Sequence, residues 1–152
     1  MYSLQQSILK PEPNFEDFQQ EPYYKAEEQP RWLLIPGSDN GVLLGSRNMT
    51  YAQQVTYMEE NYPGFHVGTV RELIKVALLK MVQDKTVLFP KNDPLTFGRC
   101  QERYQQNTWQ GRGIRVGSNK KDERGVIDGL VFSCFGEHDH NQSEGLFCCF
   151  SA

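Results

Sequence analysis

Apolar residues recur at helical spacing in two stretches of this chain. Tyr51, Val55, Met58 and Tyr62 mark the first. Thr50 stands just ahead of it with Gln53 three residues on, a capping-box pattern, and Pro63-Gly64 closes it. Val70, Leu73, Ile74, Ala77, Leu78 and Met81 mark the second, opened by the same device in Thr69 and Glu72. Val76, Leu79 and Val82 widen that stripe, so the second helix is expected to be covered on most sides.

Elsewhere the pattern shortens to period two and brief apolar runs. Trp32 to Ile35 reads as a strand, Pro36 to Gly41 as a turn and Val42 to Leu44 as the returning strand. Thr86 to Phe89, Gly113 to Val116, Leu130 to Phe135 and Leu146 to Phe150 read as further strands, while 94–107 fits neither period. A strand, two helices and then a run of strands predict an α+β domain, two helices packed on a loop-rich antiparallel sheet.

Residues 1–30 follow no such pattern. They hold four of the eight prolines, which exclude a regular helix or a central strand, yet they are rich in large apolar groups. The division expected is an extended acidic arm over 1–30 and one globular domain over 31–152. Phe15, Phe18, Tyr23 and Tyr24 are the anchors by which such an arm would dock on its own domain or on a neighbour.

Length and charge narrow the function classes. A chain of 152 residues is long enough for one real core. Its net charge of −3 lacks the basic excess usual in nucleic-acid binders. No apolar run is long enough to span a bilayer, and the N-terminus does not read as a secretory signal. The expected setting is the cytoplasm, or a particle assembled there, with all four cysteines reduced.

Charge is nevertheless segregated. Residues 1–30 balance at −4, whereas 98–124 carry Arg99, Arg103, Arg112, Arg115, Lys120, Lys121 and Arg124 against Glu102, Asp122 and Glu123. Tyr104 and Trp109 lie among these basic residues. Two uses follow: docking of the acidic arm within or between subunits, or phosphate contacts and stacking on an anionic ligand, nucleotide or nucleic acid. The ligand candidates are Arg99, Arg103, Arg112, Arg115 and Trp109.

The stretch CFGEHDHNQSEGLFCC, 134–149, packs three cysteines and two histidines together. Cys134, His138, His140 and Cys148 offer zinc-ligating atoms, but without the C-x₂₋₄-C knuckle of structural zinc sites. Cys148 and Cys149 are adjacent, so on a strand they face opposite ways. A hairpin accounts for the same residues with Cys134 opposite Cys148, Phe132 opposite Phe150 and Phe135 opposite Phe147, the histidines lying in its solvated loop. Cys100, flanked by arginines, is a weak nucleophile candidate, and no spacing ties it to His66. No metal or other cofactor and no catalytic residue is assigned on these grounds.

The order of elements, with TYAQQVTYMEENYPG and GTVRELIKVALLKM as the helices and GLFCCFSA at the end, resembles the layout of the C-type lectin-like fold over residues 31–152. That resemblance implies a scaffold used for binding more often than for catalysis. The function expected is a non-enzymatic interaction or assembly protein, an arm-mediated homo-oligomer or a component of a larger assembly such as a viral one. The alternative is a protein that binds a small anionic ligand, nucleotide or nucleic acid on the basic strip 99–124, with or without an enzymatic activity.

Overall fold

The structure, a computed structural model, describes residues 19–22, 31–35, 38–39, 41–84, 88–89, 96–105, 110–118 and 130–151. The helices form where the pattern places them. Helix α1 spans Tyr51–Asn61, and Thr50 Oγ1 accepts from Gln53 N (3.3 Å) while Gln53 Oε1 accepts from Thr50 N (2.9 Å). Helix α2 spans Val70–Asp84 with the equivalent pair, Glu72 N to Thr69 Oγ1 (3.2 Å) and Thr69 N to Glu72 Oε2 (2.8 Å). Each box satisfies two backbone donors that a helix start otherwise leaves orphaned.

Two mostly antiparallel sheets complete the expected α+β fold. In the first, β5 (Phe97–Arg103) pairs antiparallel with β6 (Gly113–Ser118), and β6 pairs antiparallel with β7 (Leu130–Phe135). On the far side of β5 lies β8 (Glu144–Leu146), running parallel to it. In the second sheet β9 (Cys148–Ser151) is central, with β1 (Leu33–Leu34) and β4 (His66–Val67) antiparallel on its two sides. A short hairpin joins β2 (Ser38–Asp39) to β3 (Val42–Leu43).

One residue separates β8 from β9. Phe147 is buried; its N–H donates to Arg99 O (3.0 Å) and its carbonyl accepts from Gly68 N (2.8 Å). It thereby carries the chain from one sheet to the other. Gly68 is required there, because a Cβ at this position would lie 2.2 Å from two atoms of the Phe147 ring.

The main core lies between α2 and the larger sheet: Val70, Leu73, Val76 and Ala77 meet Cys100, Ile114, Val116 and Phe132, with Phe89 and Phe147 filling in. A second cluster sets Met58 of α1 against Leu43, Val67, Leu146 and Cys148. Packing on one sheet face covers only one stripe of α2. Leu78, Leu79 and Val82 remain exposed, so this helix is not covered on most sides.

Strand pairing departs from the sequence reading in two places. Leu33–Leu34 pairs with β9, and Val42–Leu43 pairs with Ser38–Asp39, so the 32–35 and 42–44 segments form no hairpin with each other. The 130–135 and 146–150 segments do not pair either. Cys134 lies opposite Ile114 and Cys148 opposite Val67; Phe132 faces Val116, Phe135 faces Gly113 and Phe150 faces Leu34. The physical cause is the intervening loop, which crosses the sheet end instead of turning back. Asn48 N donates to Asn141 O (3.1 Å), Arg99 donates to Asp139 O (2.8 Å), and Glu144 is drawn beside β5 by an ion pair with Arg99.

The expected strand 86–89 lies mostly outside the described residues, although Phe89 is a core side chain. Phe15, Phe18, Tyr23 and Tyr24 of the arm lie outside them too. Residues 19–22 are described: Glu21 is buried against the domain, its Oε2 accepting from Gln105 N (3.0 Å) just beyond β5. Among the described residues no helix is long and apolar enough to cross a membrane.

Candidate functional site

The basic strip is not one surface. Arg99, from the middle of β5, is 0% exposed and paired with Glu144, itself 1% exposed. Its Nε donates to Glu144 Oε2 (2.7 Å), and its terminal nitrogens reach Met49 O (3.1 Å), Gln54 Oε1 (3.3 Å) and Asp139 O (2.8 Å). Its guanidinium lies 4.6 Å from the Phe135 ring centroid. Arg115 on β6 takes the other oxygen of Glu144 and reaches Ser133 Oγ (3.2 Å), stacked 4.7 Å from the Phe97 ring centroid. The Asn141 side-chain amide donates to the same oxygen (2.8 Å).

Both arginines are thus occupied by a buried carboxylate. A charge this desolvated requires such a partner, and it serves the fold. Arg103 pairs at the surface with Glu137 (3.2 Å) and donates to Gly111 O (3.0 Å). Arg112 is exposed, and Trp109 lies outside the described residues. A surface hollow of about 490 Å³ along α1, running from Asn48 to Glu60, carries no basic side chain among its lining residues.

The four metal candidates do not gather. Cys134 sits in β7 and Cys148 in β9, in different sheets, while His138 and His140 are exposed in the loop between β7 and β8. Burial pushes the Cys148 thiol up to about 12. Cys100 is fully buried and donates to Gly98 O (3.8 Å). Burial first, then the nearby carboxylates of Glu102 and Glu72, push its thiol well above the usual range. A nucleophilic cysteine needs the opposite, an accessible thiolate.

A different set of donors does converge. His66 on β4 and Cys149 on β9 are cross-strand partners, so both side chains leave the sheet on one face. The first turn of α2 lies over that face and supplies Glu72. Cys149 Sγ is 3.3 Å from His66 Nε2 and 3.5 Å from Glu72 Oε2; His66 Nε2 is 3.7 Å from the same oxygen. Arg31 forms an ion pair with Glu72 Oε1. Cys149 and Glu72 are buried, and His66 is 38% exposed.

Electrostatics fix the resting protonation of two members. Burial alone would raise the Glu72 carboxyl; the Thr69 N–H, the Arg31 guanidinium, the Thr69 hydroxyl and the Cys149 thiol outweigh it and hold it below its usual value. Burial and the facing Glu72 carboxylate push the Cys149 thiol up strongly, so it stays protonated and donates to that carboxylate. The trio is not a nucleophilic site in this state, since cysteine attack requires the thiolate.

Sequence reasoning missed this set because its members come from three elements and share no short motif. Two signals were present. Glu72 is fixed by its capping box, and His66 is the one histidine outside the polar loop, just before that box. Only the pairing of β4 with β9 brings Cys149 to them. No family model, no curated protein and no solved structure matches this chain.

Proposed function

We propose that this chain is a non-enzymatic interaction protein that assembles with a second copy of itself. One observation carries the reading: an exposed apolar face on the smaller sheet. Leu34 and Phe150 are cross-strand partners, 61% and 37% exposed, and Trp32 just ahead of Leu34 is 85% exposed. Phe65 stacks beside Phe150 with ring centroids 5.9 Å apart. Aromatic and leucine side chains clustered on a sheet at its outermost strand are the kind of surface that protein association covers.

The arm belongs to the same reading. Its proline content stiffens it and lowers the entropy lost on docking. Glu21 already seats residues 19–22 on the domain. The occupant is therefore the equivalent face and arm of a second copy, in a two-fold arrangement. The lectin-like layout, as a binding scaffold, and a cytoplasmic setting that keeps the four free thiols reduced complete the proposal.

Native mass spectrometry and light scattering of the full chain across a concentration series test it. A dimer or higher oligomer is expected. Trp32→Glu should weaken association by about 30-fold or more, the ratio that corresponds to about 2 kcal/mol for an interface tryptophan, with thermal stability unchanged. A monomer at every concentration would sink the reading.

A further inference from the structure

We propose that His66, Glu72 and Cys149 form a binding site for a divalent zinc-like metal ion. Bonds of about 2.3 Å to sulfur and about 2.0 Å to nitrogen or oxygen, meeting at the tetrahedral angle, put sulfur roughly 3.5 Å from each other donor and nitrogen roughly 3.3 Å from oxygen. The three separations here are 3.3, 3.5 and 3.7 Å. The donors therefore already stand near the corners of one face of a coordination tetrahedron. One thiolate, one imidazole and one carboxylate are the ligand types that zinc accepts, and the sulfur selects against magnesium and calcium.

The shell around these donors suits the role. Metal-ligating carboxylates are normally oriented by further hydrogen bonds. Glu72 has its Oε2 held by Thr69 N (2.8 Å) and its Oε1 by Arg31. Two of the ligands sit on paired strands, and the third opens a capped helix, so none depends on a loop for its position. Gly68, between the strand and that helix, lets the turn press against Phe147. The half-exposed His66 gives the buried pair a route to solvent. Three protein ligands leave the fourth tetrahedral position to water.

Binding balances simply. In the metal-free protein the Cys149 thiol donates to Glu72. On binding, the S–H proton leaves to solvent, the sulfur lone pair and the neutral imidazole nitrogen bond the ion, and Glu72 turns from hydrogen-bond acceptor to ligand. With two anionic ligands the site neutralises the charge of a divalent ion. This site is independent of the apolar face, so neither proposal fails with the other.

Cobalt(II) is the probe, added to the chelator-treated full chain. The expected result is one ion per chain, a sulfur-to-cobalt charge-transfer band, the visible bands of a tetrahedral ion, and displacement of both by zinc. Cys149→Ser should abolish the charge-transfer band. His66→Gln, at a half-exposed position that leaves the core intact, should weaken cobalt binding by at least about 100-fold, and Arg31→Gln, acting through Glu72, by about 10- to 100-fold. The double variant His138→Ala/His140→Ala should bind as the parent does. Folded protein that gives no charge-transfer band overturns the proposal. So does a band that survives His66→Gln at full affinity, or one lost in the loop double variant.

Discussion

Replacing Glu144 by glutamine keeps the side chain's size and removes one charge from the most enclosed part of the molecule. The carboxylate accepts from Arg99 Nε (2.7 Å), from Asn141 Nδ2 (2.8 Å) and from Arg115. Without it, Arg99 keeps neutral acceptors at Met49 O, Gln54 Oε1 and Asp139 O, but no anion. With no exposed surface, Arg99 cannot turn its charge to water. Breaking a buried pair by removing one partner costs about 3–5 kcal/mol. A second cation on the same carboxylate argues for the upper half of that range, moderated because Arg115 keeps 19% exposure. For a domain of this size that is a fall in Tm on the order of 10 °C.

Urea unfolding at neutral pH measures the effect, with an unchanged m-value confirming that the native state is still compact. The variant Arg99→Met/Glu144→Gln removes a buried cation together with the anion. It should regain at least about 2 kcal/mol over the single Glu144→Gln variant, because the unpaired charge is the larger penalty. A loss under about 1 kcal/mol for Glu144→Gln, with m unchanged, would mean that water reaches these charges, and the account of the arginines as fold-stabilising groups would fail.

Three further outcomes are expected. Gly68→Ala drives a methyl into the Phe147 ring at the crossing between sheets and should cost about 1–3 kcal/mol in urea unfolding. Thr50→Ala removes the hydroxyl that accepts Gln53 N at the start of α1 and should cost about 1 kcal/mol, whereas Thr50→Ser should be nearly silent. Cys100 is held protonated by its surroundings, so above the ordinary thiol range the folded state keeps a proton that the unfolded chain has lost. Stability measured with a chelator present should then fall as pH rises, by up to about 1.4 kcal/mol per pH unit for that group, and Cys100→Ala should show a shallower slope.

What could be read in the sequence was local. Both helices and both capping boxes are written in residues no more than four apart, and the capping hydrogen bonds mark their starts. The strands read at 113–116 and 130–135 showed through their apolar residues for the same reason. Partner choice was not local. Whether 130–135 pairs with 113–118 or with 146–150 depends on Arg99 drawing Glu144 across from 45 positions away, and neither apolar pattern distinguishes the two. Charged residues are exposed by default, so Arg99 and Arg115 read as surface. The available hint was that Phe97-Gly98-Arg99-Cys100 offers no polar alternation, as expected of a strand covered on both faces.

The converging trio shows how a local signal and a non-local one meet in one residue. Glu72 is where it is because the helix start needs a side-chain acceptor at Thr69 N. The same oxygen faces Cys149 and His66, which are where they are because β4 pairs with β9. A carboxylate has lone pairs for about four donors, so Glu72 can cap the helix and bond Arg31 while still facing the other two. Substituting Glu72 would therefore remove a helix cap, an ion pair and a donor at once, and its effect could not be assigned to any one of them. His66 lies outside α2, on β4, and is half exposed. Any ion-dependent change that follows its replacement therefore reports on the cluster and not on the start of α2.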